Sequence, residues 1–261
     1  MVKHKRASKA VKGTYLALVI AFMYLPIMIM IALSFNKSVS RAEWTGFTLS
    51  WYAKLFSSEA ILSALKVTVG VAIIAAVVST ILGTLGAIGM HAMKQGWSDA
   101  MVTVSYIPMT TPDIVTGVSL MLMFVFIKIP LNGVTMLLSH IAFDTPYVLF
   151  SVMPRLKQMD SNMYEAALDL GCKPFEAIWK VIIPEIKSGI LTGALMAFTM
   201  SIDDFVISYF TSNTSQNLSM LVYSSARRGV EPTMYAISTL MFVVVLGLLL
   251  IVNRRSSLEE M

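Results

Sequence analysis

The chain has 261 residues, of which 56% are hydrophobic and only 13% charged, and its mean hydropathy is +0.74. A soluble domain carries about twice that charged fraction, so these values exclude a soluble globular protein and indicate one that lives in a membrane. The net charge of +5 does not point to nucleic acid: thirteen Lys and Arg fall in the N-terminal tail, the 91–100 loop, the 154–188 loop and the C-terminus, and seven fall in the alternate loops.

Six apolar runs reach the ~20 helical residues that a bilayer core requires. They lie at about Tyr15 to Phe35, Val67 to Met90, Met101 to Ile127, Val134 to Met153, Gly189 to Phe210 and Met234 to Val252. Six crossings return the chain to its starting side, and the excess of basic residues in one set of loops puts both termini in the cytoplasm. The expected fold class is therefore an all-α integral membrane protein, with 1–261 forming one transmembrane domain.

The first run follows Lys3, Lys5, Arg6, Lys9 and Lys12. It is too long for a signal peptide and no A-x-A site follows, so a retained helix is expected. Outside, "LSWYAKLFSSEAILSALK" repeats Trp51, Leu55, Leu62 and Leu65 at roughly helical spacing. That pattern predicts a short amphipathic helix, with Trp51 and Tyr52 at headgroup level.

The second run ends "ILGTLGAIGM", with Gly83, Gly86 and Gly89 three apart, a face suited to close helix packing. In the third, "YIPMTTPDIV" carries Pro108 and Pro112, which interrupt the hydrogen-bond ladder. A broken helix at membrane depth is tolerated where it is buried in protein or lines a cavity. The single Cys172 excludes an internal disulfide. His4, His91 and His140 stand apart and read as interfacial or terminal residues rather than metal ligands.

The long polar loop from Pro154 to Ser188 reads as two short helices. Asn162 with Glu165 three residues on is capping-box-like, Gly171 is a stop, Pro174 opens the second helix near its first position, and Pro184 ends it. Both a docking protrusion and a plain helical connector fit this pattern.

"EAALDLGCKPFEAIWKVIIP" resembles the EAA motif of ABC-importer permeases: E-A-A, three residues, G, nine residues, then I-x-L-P. Glu165, Ala166, Ala167, Gly171 and Pro184 match, while Val181 and Ile183 stand where the family prefers Ile and Leu. Together with "WYAKLF", "PDIV", "SIDDFVIS" and "VYSSARRGVEPTMYAISTLM", the chain resembles the second permease subunit of polyamine (spermidine/putrescine) importers over nearly its whole length. One departure is Lys66-Val67-Thr68, where relatives commonly carry Asn then Ser or Thr.

The resemblance implies a permease of the type I ABC-importer fold in the bacterial inner membrane. It implies a second homologous permease, two cytoplasmic ATPase subunits and an extracytoplasmic substrate-binding protein as partners, with the EAA loop coupling to the ATPase. Glu165 has two readings, ATPase contact and helix cap. No G-x-x-x-x-G-K-[ST] occurs, so ATP and Mg would be bound by the partner ATPase and no cofactor is expected in this chain. No catalytic residue is expected either.

Four acids fall inside the apolar runs, where an ionised carboxylate costs ~2.5 to 3.5 kcal/mol even on permissive scales. At ~1.5 Å per residue, Asp113 and Asp203 lie roughly 18 to 21 Å from the cytoplasmic ends of their spans, and Asp144 roughly 15 Å from its outer end. Asp113, Asp144, Asp203 and Asp204 therefore approach one level. With Tyr106, Phe205 and Tyr209 they have the chemistry of a polycation path, carboxylates for ammonium groups and aromatic faces for methylenes and cation-π contact. Asp113 after Pro112 also suits a helix start, and Asp144 before Thr145-Pro146 suits a cap. On one continuous helix Asp203 and Asp204 would lie ~100° apart, so only one would face the path. The rivals are a permease for another solute, such as thiamine, ferric iron or sulfate, and an intramembrane aspartyl hydrolase. Buried acids disfavour an anion carrier, and no G-x-G-D motif accompanies the Asp residues.

Overall fold

A computed structural model describes the backbone of residues 2–259 apart from 41, 161, 229 and 230, and the side chains of residues 12–247 apart from 41, 161 and 228–230. The basic residues from Lys3 to Lys9, the Arg228 side chain and the end of the expected sixth span thus lie outside the described side chains. Among the described residues the chain is helical, with a single isolated bridge between Asn36 and Phe47. It divides into two compact units, Met1–Leu62 with Ser224–Met261, and Ser63–Tyr223.

In the first unit, α1 (Val2–Ser34) packs on α13 (Pro232–Glu259), which also meets α2 (Ser50–Ser57). The expected amphipathic helix is α2 alone, because Leu62 and Leu65 already belong to α3 (Glu59–Ala92). Trp51 is buried: its indole N–H donates to the Asn36 carbonyl at 2.7 Å. The Asn36 side chain in turn organises the connecting loop, accepting from Thr45 N–H at 3.2 Å and donating to the Glu43 carbonyl at 2.8 Å.

The second unit holds the rest of α3, then α4 (Gln95–Thr110), α5 (Asp113–Phe126), α6 (Gly133–Gln158), α7 (Asn162–Asp169), α8 (Pro174–Ala177), α9 (Ile183–Glu185), α10 (Lys187–Asp203), α11 (Val206–Thr211) and the start of α12 (Leu218–Arg228). Lys12–Ser34, α3 and α6 are long and apolar enough to cross a membrane individually. Among the described residues, counting two bent pairs as one span each raises the number to five, and Pro232–Gly247 is a shorter apolar helix. The expected third span is not straight: α4 and α5 meet at 104° across Thr111-Pro112. Pro112 lacks the N–H that would continue the ladder, and it disfavours helical dihedrals at Thr111, which is extended (ψ 135°).

The core element is α6. Its Val148 is fully buried, with Gly83 of α3 and Gly193 of α10 both against it. A Cβ on Gly83 would lie 2.7 Å from Val148 Cβ and 2.9 Å from the Thr145 carbonyl, and one on Gly193 would lie 3.0 Å from Val148 Cα. Of the three expected packing glycines, Gly83 is the tight one, Gly86 has ordinary clearance, and Gly89 has open space. Gly189 brings α10 so close to α6 that the Ser151 hydroxyl donates to its carbonyl at 3.0 Å.

Gly83→Val should lower the stability of the purified chain in detergent by about 1 to 3 kcal/mol, the usual range for overpacking a close helix contact. Gly89→Ala should leave the thermal unfolding temperature unchanged or slightly raised, since the added methyl meets nothing and Ala is the better helix former. Thermal unfolding of the two variants side by side checks the contrast.

Candidate functional site

The expected fifth span ends as a helix at Asp203. Asp204 is extended (φ −60°, ψ 124°), and the chain resumes as α11 only at Val206. The expectation of one continuous helix carrying both acids ~100° apart is therefore corrected. The two carboxylates diverge because the backbone turns between them.

A new helix start leaves first-turn N–H groups without partners. Asp204 supplies them: its Oδ1 accepts from Ile207 N–H at 3.1 Å, and its Oδ2 accepts from Ser208 N–H at 2.8 Å and from the Ser208 hydroxyl at 2.9 Å. The side chain is 7% exposed, and His140 Nε2 lies 3.4 Å away. Asp203, by contrast, is exposed.

His140 does not sit at an interface as its isolated position in the sequence suggested. It is buried on α6, with Nδ1 2.9 Å from Ser201 Oγ and Nε2 2.8 Å from Ser208 Oγ. Ser201 donates to Asp144 Oδ2 at 2.6 Å. Asp144 is fully buried in the interior of α6, which continues through Thr145-Pro146, so it is not a helix cap. Asn217 closes the network by donating to the Asp204 carbonyl at 2.9 Å and to Ser208 Oγ at 2.8 Å, and its own Oδ1 caps α12 through Met220 N–H. Thr68 anchors the same turn, accepting from Leu218 N–H at 2.7 Å, so the motif departure in the sequence falls on a structural contact.

On the exposed side, Phe205, Tyr209 and Tyr223 cluster, with ring centroids 4.4 Å apart for Phe205 and Tyr223, 5.4 Å for Phe205 and Tyr209, and 6.5 Å for Tyr209 and Tyr223. Tyr223 escaped the sequence reading because it lies in a polar segment beyond the apolar runs. Tyr106 is not in this cluster, packing edge-on against Phe150 at 5.2 Å. Asp113, the exposed first residue of α5, is within electrostatic reach of Asp203. Gly117, one turn later, lets α5 approach α11, where an added Cβ would lie 3.2 Å from Phe210. Tyr147 is within reach of both Asp113 and Asp144 and was also missed.

Within the EAA segment, α7 ends in a Schellman turn: Gly171 has φ 89°, Cys172 N–H bonds the Ala167 carbonyl, and Gly171 N–H bonds that of Leu168. Asn162 lies inside α7 and not at its cap, with its N–H donating to Asp160 Oδ1 at 2.9 Å, and Glu165 is exposed. Ala166 is exposed and Ala167 buried. The second helix opens with Pro174 and continues past Pro184 to Glu185 through a π turn at Ile178–Ile182. The wider turn relieves the clash that a proline ring makes with the carbonyl four residues back. This rod does not protrude freely: Phe175, Ile178 and Trp179 face Ile81, Thr84 and Leu85 of α3 across an apolar groove of about 390 Å³.

Residues 81–255 match the family of binding-protein-dependent transport system inner membrane components. The chain belongs to that family. It is 35% identical to the spermidine/putrescine transport system permease protein PotC of Haemophilus influenzae, over 92% of this chain and 94% of that protein. Against PotC of Escherichia coli strain K12 the identity is 33%, over 90% of each chain, and against its putrescine transport system permease protein PotI 36%, over 84% and 81%. The fold is shared with the crystal structure of a bacterial ABC transporter that imports the acidic polysaccharide alginate (TM-score 0.73, 17% identity, 98% and 97% coverage). The chain is thus a multi-pass membrane component of a transporter and not an enzyme.

Asp204→Ala in this permease should lower stability by about 1 to 3 kcal/mol, because it strips charge-assisted bonds from buried donors. Asp203→Asn, at an exposed carboxylate, should stay within about 0.5 kcal/mol of the parent. Thermal unfolding in detergent distinguishes them.

Proposed function

We propose that this chain is the permease subunit of an ATP-driven importer of polyamines in the bacterial inner membrane, with Asp203 and Asp113 meeting the ammonium groups and Phe205, Tyr209 and Tyr223 the methylenes. The observation that carries this reading is an exposed acid two residues before Phe205 of a three-ring aromatic cluster, with a second acid in electrostatic reach. A flexible polycation needs both kinds of contact. The names of the PotC and PotI relatives support the same substrate class. Asp144 and Asp204 serve the site from behind, as buried members of the His140 network.

In this reading six spans place both termini in the cytoplasm and form one permease domain. The chain pairs with a homologous permease, two ATPase subunits bind ATP and Mg below, and a binding protein delivers substrate from outside. Alternating access follows from ATPase closure carried through α7 and the turn at Gly171, with Glu165, Ala166 and the exposed Leu170 presented to the ATPase and Pro184 holding the second rod. This chain needs no cofactor and contacts no nucleic acid.

The test is uptake of radiolabelled spermidine into proteoliposomes holding the complete importer with its binding protein. Uptake should require ATP. Asp203→Asn and Asp113→Asn should each raise the apparent KM about tenfold, and Tyr223→Ala about three- to tenfold, the range that a lost ion pair or cation-π contact produces. Unchanged KM in all three variants, or uptake without any ATPase subunit, would defeat the proposal. Separately, Gly171→Val forces a β-branched residue to φ 89° and should sharply reduce both uptake and co-purification of the ATPase.

A further inference from the structure

The three-ring cluster belongs to the α10–α11 break and α12, but a separate set of rings lies along α6. Phe143, Tyr147 and Phe150 follow one another at spacings of four and three residues, which places them on one side of that helix. Phe143 and Tyr147 meet with ring centroids 5.3 Å apart, and Tyr106 of α4 packs edge-on against Phe150 at 5.2 Å. Phe143 is buried, Tyr147 and Phe150 are half-buried, and Tyr106 is exposed. The bend at Thr111-Pro112 brings an acid to these rings: α4 packs on α6, and after the 104° turn α5 packs on both α6 and α11. Asp113, the first residue of α5, is within electrostatic reach of Tyr147 on one side and of Asp203 on the other. The Thr110 and Thr111 hydroxyls donate to the Ile107 carbonyl, and among the described residues nothing hydrogen-bonds to the exposed Asp113 carboxylate or to the Tyr147 phenol. An acid with open oxygens and accessible ring faces thus occurs a second time, on different helices.

We propose that Tyr147, Phe150 and Tyr106 line a second polyamine subsite whose acid is Asp113, with Tyr147 as the ring that meets the ammonium group held there. This rests on the reading of Asp203 and Asp113 as the substrate-facing carboxylates. One ammonium group of the substrate lies at Asp203 with Phe205, Tyr209 and Tyr223, and another lies at Asp113 with Tyr147. The carboxylate supplies charge, which any small cation would satisfy. The ring faces supply the cation-π and methylene contact that an inorganic cation cannot use fully, so the pairing selects an organic amine. Phe150 and Tyr106 continue the apolar surface from Tyr147 for the methylene chain.

Spermidine uptake by the complete importer in proteoliposomes tests it through paired variants. Tyr147→Leu keeps apolar bulk but removes the ring and should raise the apparent KM about three- to tenfold, while Tyr147→Phe keeps the ring and should stay within about twofold of wild type. Added to Asp113→Asn, Tyr147→Leu should cost less than it does alone, because the two residues serve one subsite; added to Asp203→Asn, its effect should multiply. Tyr106→Leu, at an exposed position on α4, should raise KM about two- to fivefold without disturbing α6. A packing role for Tyr147 predicts an unchanged KM in whatever fraction assembles. An unchanged KM in Tyr147→Leu, equal losses in the Leu and Phe variants, or full multiplication with Asp113→Asn would therefore overturn the proposal. Should Tyr147→Leu not assemble, Tyr106→Leu decides alone, and an unchanged KM there overturns it. The underlying reading fails differently: Asp113→Asn and Asp203→Asn would then both transport with an unchanged KM.

Discussion

The site is organised around the need to satisfy backbone groups where a helix stops inside an apolar environment. When α10 ends at Asp203 and α11 begins at Val206, the first-turn N–H groups of α11 have no water to turn to. The Asp204 carboxylate fills that need, and everything nearby follows from having put a charge there. His140 stands beside it, Ser201 and Ser208 carry the hydrogen bonds outward, Asn217 ties in the start of α12, and Asp144 terminates the chain of contacts on α6.

This requirement also explains why two adjacent acids do different work. A continuous helix would have left the two ~100° apart on one cylinder, with no free first-turn N–H groups for either to cap. The break turns Asp204 inward, where its oxygens are taken up by Ile207 and Ser208, and leaves Asp203 exposed. The second break, at Thr111-Pro112, has the same effect on α5: by restarting the helix it brings Asp113 to a first-turn position, where the partial positive charge of the helix end favours a carboxylate. Close packing through Gly117 then sets α5 against α11.

The EAA segment shows the same economy. Gly171 is required by a left-handed turn, and Pro174 and Pro184 bracket a rod whose π turn absorbs the second proline. Its apolar face lies along α3, and Leu170 at the tip of the turn is 86% exposed.

The sequence by itself determined the class of molecule, because hydropathy and charge asymmetry are properties of composition. It also determined the EAA turn, the proline break in the third span and the list of acids, since glycine, proline and buried charge constrain the chain locally. Tertiary structure decided which acid faces which way, that Tyr223 joins Phe205 and Tyr209 while Tyr106 does not, and that His140 is a member of the site and not a bystander. Those outcomes depend on contacts between residues about sixty apart in the chain, such as His140 with Ser201 and Asp144 with Ser201. No local spacing encodes a hydrogen bond across two helices; it exists only once glycines such as Gly189 and Gly193 have let α10 settle against α6.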